Sequence, residues 1–170
     1  MLTVVCTLHQ PGRYTREDVE KLELLTATRK RSRFICLTNE NLGLRHVQTV
    51  PILNGWGWPW AKLEMFREGV LKDKERAVFF DLKYASREIP VKETLTDLEG
   101  RKNKLIVMPG KKFRTSTEIV SWTGNDWEPA FTQFGRSPVR IAEQHHSDAE
   151  WLWVVAGQQA LIYEPIGAAV

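Results

Sequence analysis

Continuous apolar runs, each closed by polar or turn-forming residues, recur along the chain. LTVVCTL at 2–8, closed by HQPG, RFICLTN at 33–39, the shorter HVQTVPI at 46–52 and AVFFDL at 77–82 predict four strands. KLIVMPG at 104–110 and TEIVSW at 117–122 predict two more; VRIAE at 139–143 reads as a further strand, and the tail from 158 carries another short one. Helical spacing interrupts them. Thr15, followed by Glu17 and Asp18, marks a helix start, and Val19, Leu22 and Leu25 carry its apolar stripe toward Lys30. A short helix is expected over 61–71, a helix or turn over 126–135 with Pro129 near its start, and a helix over 146–157. The polar stretch 91–104 reads as loop and turns. Strands of unbroken apolar character alternating with helices predict an α/β fold, a mostly parallel central sheet flanked by helices. In such a sheet a ligand sits outside the carboxyl ends of the strands.

With 170 residues, 42% of them apolar, the chain suits one compact domain over 1–170. No run approaches the ~18 apolar residues of a membrane span. The N-terminus lacks a basic region and a small-residue cleavage site, so it reads as a first strand, and a cytoplasmic location is expected. Cys6 and Cys36 each lie inside an apolar run and are expected to be buried thiols. The net charge of +3 is mild but clustered. Arg29-Lys30-Arg31-Ser32-Arg33 and Lys111-Lys112-Phe113-Arg114 are either solvated surface or a face turned to the phosphates of a nucleotide or nucleic acid. The sequence has no G-x-G-x-x-G and no G-K-[ST], which counts against a dinucleotide enzyme or a P-loop ATPase.

If the sheet is parallel, polar residues from several strand ends share one edge: Thr7 and His9, Thr38 and Asn39, Asp81 and Lys83. Lys62 falls in the first turn of the helix that precedes Asp81. Groups of mixed sign gathered there suit a charged ligand. The loop NGWGWPW supplies either a tryptophan cluster that packs the loop down or an aromatic wall for a sugar or base. In EQHHSDAE, His145, His146 and Asp148 have spacing that a metal can use. Alternatively Ser147 caps the following helix with Glu150 completing a capping box.

In content and order these pieces resemble a family of small bacterial and phage glycosyltransferases of the GT-A type, over about residues 3–155. A first strand of V-V-C-V-L kind is matched by Val4-Val5-Cys6-Thr7-Leu8, and a Y-T-x-x-Y-V helix start by Tyr14-Thr15-Arg16-Glu17-Asp18-Val19. F-V-C-L-T-D is matched by Phe34-Ile35-Cys36-Leu37-Thr38-Asn39, and G-W-x-x-W-W-x-K-L-E-L-F by Gly57-Trp58-Pro59-Trp60-Ala61-Lys62-Leu63-Glu64-Met65-Phe66. Y-L-D-L-D-T-V stands as Phe79-Phe80-Asp81-Leu82-Lys83-Tyr84-Ala85, N-S-S-V-M-V-W as the strand from Thr115 to Trp122, and G-D-Q-x-W as Ser147-Asp148-Ala149-Glu150-Trp151.

The resemblance implies a GT-A-like fold of the nucleotide-diphospho-sugar transferase type. It implies transfer of a sugar from a nucleotide-sugar, a UDP-sugar above others, to an acceptor, for which modified DNA is one candidate. Thr7, His9 and Asn39 would hold the base and ribose, Lys62 the phosphates, and Asp81 with Lys83 the diphosphate. Trp58, Trp60, Thr115 and Ser116 would line the acceptor side. Asp148 would face the acceptor as a general base, so that Asp148 and Asp81 are the catalytic candidates. In the family the two acids of D-x-D hold Mn or Mg through oxygen ligands, and that ion bridges the diphosphate.

Here the second acid is Lys83. An ammonium does not ligate a cation and repels one by several kcal/mol at intermediate dielectric, on the order of Coulomb's law at a few ångströms. Three readings stay open. Lys83 replaces the metal; or Asp81 and Lys83 form a structural ion pair in a lapsed relative that binds without catalysing; or a metal binds through Asp81 and another ligand such as His145, His146 or Asp148. Family members continue past the last strand with a lysine-containing tail over the donor, where this sequence ends YEPIGAAV, which favours the lapsed reading.

Overall fold

The computed structural model describes residues 1–9, 12–29, 31–86, 90–101, 105–110 and 115–165. Lys30 and the basic run 111–114 lie outside the described residues, as do 10–11 and 166–170. The strands are β1 Leu2–Thr7, β2 Arg31–Leu37, β3 Gln48–Val50, β4 Arg76–Phe80, β5 Leu105–Pro109, β6 Thr115–Thr123 and β7 Ala160–Ile162. The helices are α1 Arg16–Leu25, α2 Val91–Glu99, α3 Glu128–Arg136, α4 Pro138–Gln144 and α5 Asp148–Ala156.

Among the described residues the strands form one seven-stranded sheet in the order β3-β2-β1-β4-β6-β5-β7. β1 pairs in parallel with β2 and β4, β2 with β3, and β5 with β7. β6 alone runs against its neighbours β4 and β5. The unbroken apolar runs are explained by burial on both faces. Val4, Cys6, Val78 and Phe80 join one core with Val19 and Leu22 of α1 and Leu95 and Leu98 of α2. Val5, Ala77 and Phe79 join the other, with Phe66, Trp122, Phe134 and Leu152. Cys6 and Cys36 stand in register on β1 and β2, both free and buried; burial raises the Cys6 thiol well above its ordinary pKa. No helix among the described residues is long and apolar enough to cross a membrane.

Three sequence expectations are corrected. The stretch 91–104 contains a helix, because Val91, Leu95 and Leu98 fall on one buried stripe at i, i+4 and i+7 within otherwise polar sequence. VRIAE belongs to α4: Pro138 sits in its first turn and only Ile141 is buried, which suits a surface helix rather than a strand. Over 61–71 the chain forms a 3-10 segment, Trp60–Phe66, whose inward residues include two charged ones, Lys62 and Glu64.

Candidate functional site

The carboxyl ends of β1, β2 and β4 open on one side of the sheet. Because β6 runs the opposite way, its first residues, Thr115 to Glu118, arrive at that same side. The junction is fastened where Asp81 N–H donates to the Glu118 carbonyl at 2.8 Å. Thr15 and Ser147 set the flanking helices in place. Thr15 and Asp18 form a reciprocal capping box on α1, with Thr15 N–H donating to Asp18 Oδ2 at 2.8 Å. The Ser147 hydroxyl accepts from Glu150 N–H at 3.1 Å and starts α5 at Asp148.

Three adjoining pockets occupy this side. The first, about 380 Å³, is lined by Thr7, His9, Arg13, Tyr14, Asp81 and Lys83. The second, about 280 Å³, shares Trp58, Asp81 and Glu118 with it and adds Lys62, Thr115 and Asp148. The third, about 380 Å³, shares His9 and reaches Asn39 and Trp56. A larger depression of about 510 Å³ lies along the exposed side of α2, at Lys92, Glu93 and Thr96, away from the strand ends.

In the first pocket, β4 stops at Phe80, and Asp81 caps the short turn Leu82–Ala85. Asp81 Oδ1 accepts from Lys83 N–H at 3.0 Å. Asp81 and Lys83 therefore do not project from a strand in period-two register. The Lys83 ammonium pairs with the Glu118 carboxylate, whose other oxygen accepts from Tyr84 Oη at 2.8 Å. Thr7 Oγ1 is buried at the wall of this pocket with no hydrogen-bond partner among the described residues. Gly12 lets the following loop close on His9: a Cβ there would stand 2.6 Å from the His9 carbonyl oxygen. That approach brings Arg13 and Tyr14 to the pocket, and Arg13 donates to Tyr14 Oη at 2.9 Å.

In the second pocket, Lys62 is 5% exposed and Asp148 3%. Lys62 Nζ donates to Thr117 Oγ1 at 2.7 Å, Thr117 Oγ1 donates to Asp148 Oδ2 at 2.6 Å, and the ion pair spans 3.6 Å. Lys62, expected at the donor phosphates, is already neutralised by Asp148. Trp58 covers this cluster, its ring 5.1 Å from Lys62 Nζ and 5.9 Å from His9, and is 46% exposed. Trp60, expected on the acceptor side, instead stacks on Phe134 at 4.8 Å, and Trp56 meets Phe131 and Phe134. The tryptophan loop thus divides: Trp56 and Trp60 pack, and Trp58 faces the cleft. Glu64, fully buried, holds the loop from below by accepting from the backbone N–H groups of Leu53 and Asn54, both at 3.1 Å, and pairs with Arg67. In the third pocket Asn39 Oδ1 accepts from Ile52 N–H at 2.9 Å.

The histidine alternative does not assemble. His145 faces Glu150 at 3.2 Å, His146 is exposed with its N–H donating to Glu150 Oε2 at 3.3 Å, and Asp148 is held by Lys62. Among the described residues no three His, Cys, Asp or Glu groups gather at metal-binding separation. With an ammonium at the second acid position, this donor set does not fit a divalent cation. Two residues of the basic run 29–33, Arg31 and Arg33, are also placed elsewhere. Arg31 and Arg33 belong to the amino end of β2 and are paired with Glu23 and Glu75, respectively, far along the strand from the cleft.

Arg13, Tyr14 and Glu118 were not singled out as site residues from sequence. Tyr14 lay within a matched motif, while Glu118 gave only the faint signal of a charge inside an apolar strand. The first pocket offers two cations, Arg13 and Lys83, two carboxylates, Asp81 and Glu118, and the rings of His9, Tyr14 and Trp58, a lining that suits an anionic ligand carrying a flat ring.

No protein-family model matches the chain, and no curated protein matches it in sequence. Solved structures match in fold. Glycosyltransferase GlyE from Streptococcus pneumoniae TIGR4 superposes with a TM-score of 0.64 at 13% identity, over 96% of this chain and 46% of GlyE. The galactosyltransferase LgtC, in complex with donor and acceptor sugar analogues, gives 0.68 at 12% identity, over 96% of this chain and 73% of LgtC. The Francisella tularensis cytidylyltransferase IspD gives 0.53 at 9% identity, over 95% and 90%. The chain spans just under half the length of GlyE. Its mostly parallel sheet, flanking helices and strand-end cleft make this a GT-A-like fold of the nucleotide-diphospho-sugar transferase type.

Proposed function

We propose that the cleft binds a nucleotide-sugar, a UDP-sugar above others, and passes its sugar to an acceptor hydroxyl without a metal ion. The observation that carries this reading is the placement of the Lys83 ammonium, at the strand end beside Asp81, where its charge can meet a diphosphate. Arg13 adds a second cation on the same pocket. The free hydroxyl of Thr7 offers a hydrogen bond to the base or ribose, and Tyr14, His9 and Trp58 offer rings for stacking. Thr115 and Ser116 line the adjoining pocket, on the acceptor side. Similarity in fold to GlyE and LgtC supports the assignment to sugar transfer. The second reading, a protein that binds the nucleotide-sugar and does not transfer, is supported by Asp148, whose charge is buried and balanced by Lys62.

Calorimetric titration with UDP and GDP, in chelator, tests the binding claim. Saturable UDP binding supports it, and absence of binding by either nucleotide overturns both readings. Turnover of UDP-galactose or UDP-glucose selects transfer, and binding without turnover selects the second reading.

A further inference from the structure

We propose that Glu118 is the catalytic base of this site and that the ligand's diphosphate switches it on. The inference rests on the nucleotide-sugar reading above and adds a residue to it. Glu118 lines both the first and the second pocket, so its carboxylate stands at the boundary between a donor and an acceptor. It is 36% exposed at the side chain, unlike Asp148, which is buried and tied to Lys62 and Thr117. Its charge is matched by Lys83, the same ammonium that a diphosphate would recruit.

One cation shared between two anions sets up an exchange. Without ligand, Lys83 neutralises Glu118. When a diphosphate enters the first pocket, Lys83 turns to the phosphate oxygens. Glu118 keeps the hydrogen bond from Tyr84 Oη, which fixes its position, and loses its cation. The uncompensated carboxylate then faces the second pocket and accepts the proton of an acceptor hydroxyl. The acceptor oxygen forms its bond to the anomeric carbon. The bond from that carbon to the phosphate oxygen breaks, its electron pair leaves with the nucleoside diphosphate, and Lys83 matches the charge developed there. The proton on Glu118 returns to solvent. Donor binding precedes base activation, so an acceptor alone meets a neutralised site.

The test compares wild type with Glu118→Gln, which preserves the acceptor for Tyr84 and removes the charge. The probes are UDP in chelator, followed by calorimetry, and UDP-galactose, followed by UDP release with water as acceptor. Glu118→Gln is expected to bind UDP about fivefold more tightly, the size of a partly exposed ion pair no longer competing for Lys83. It is also expected to lose UDP release. A merely structural Glu118 would weaken UDP binding or leave it unchanged, and either result overturns the exchange. Undiminished UDP release by the variant, or none from wild type, overturns the base role. UDP binding by wild type with unchanged affinity in the variant overturns this inference alone. Failure of both proteins to bind UDP overturns the UDP-sugar reading beneath it.

Discussion

Lys62 Nζ stands 3.6 Å from Asp148 Oδ2, with Thr117 Oγ1 bonded to both and all three side chains buried. The pair joins the 3-10 segment Trp60–Phe66 to the start of α5 beside Thr117 of β6. Removing one partner leaves an uncompensated buried charge, which costs about 3–5 kcal/mol. Lys62→Met and Asp148→Leu are each expected to lose stability on that scale in urea denaturation. The double variant is expected to recover most of the loss, because an apolar pair leaves no charge behind. Additive losses in the double variant would contradict the pairing.

The tryptophan loop gives a contrast between two residues two positions apart. Trp58→Ala is expected to weaken UDP binding about tenfold, the scale of one base–aromatic stack, with stability changed by less than about 0.5 kcal/mol. Trp60→Ala is expected to do the reverse. It would cost about 2–3 kcal/mol through lost packing on Phe134, and leave UDP affinity near wild type once folded. Equal effects of the two variants on binding would contradict the division of the loop.

At the amino end of the sheet, Arg33 makes a two-pronged contact with Glu75, through Nε at 2.7 Å and Nη2 at 2.5 Å, and Thr3 Oγ1 donates to the same carboxylate. Burial alone would raise the Glu75 pKa. The bonds from Arg33, Thr3 and Lys72 N–H, with the Arg33 charge, outweigh it and hold the pKa down to about 2 against an ordinary 4.5. A folded pKa below the unfolded one gives stability that is complete above about 4.5 and lost as pH falls toward about 2. Glu75→Gln is expected to cost about 1–2 kcal/mol at neutral pH and to flatten the acid side of the stability profile between those values. An acid limb as steep as in wild type would contradict it.

Lys83→Asp recreates two acids at the end of β4, beside Glu118. UDP binding in chelator is expected to fall by about tenfold or more, since the cation is gone and a like charge meets the phosphates. Added manganese is expected to restore it. A variant whose UDP affinity is unchanged in chelator would show that Lys83 does not meet the ligand.

The sheet was legible where the sequence carries unbroken apolar runs, as at Val4–Leu8 and Ala77–Phe80, because strands buried on both faces need no polar alternation. The helix α2 was not legible, since its buried stripe is three residues in a polar stretch. The strand ends Thr7 and Asp81 were placed at the cleft by the parallel-sheet rule alone. The direction of β6 has no local signature, and Glu118 reaches the cleft only because that strand is reversed. The partners of Lys62 and Glu64 were not legible either: each charge is buried against a distant segment, Asp148 and the 53–54 backbone, which no local pattern marks.

The most direct test of metal-free diphosphate binding is the UDP affinity of the wild-type protein, measured by calorimetry in excess EDTA and again in millimolar manganese. The Lys83 account predicts the same dissociation constant under both conditions within about twofold, a difference below about 0.5 kcal/mol. Binding that appears only with manganese would contradict it.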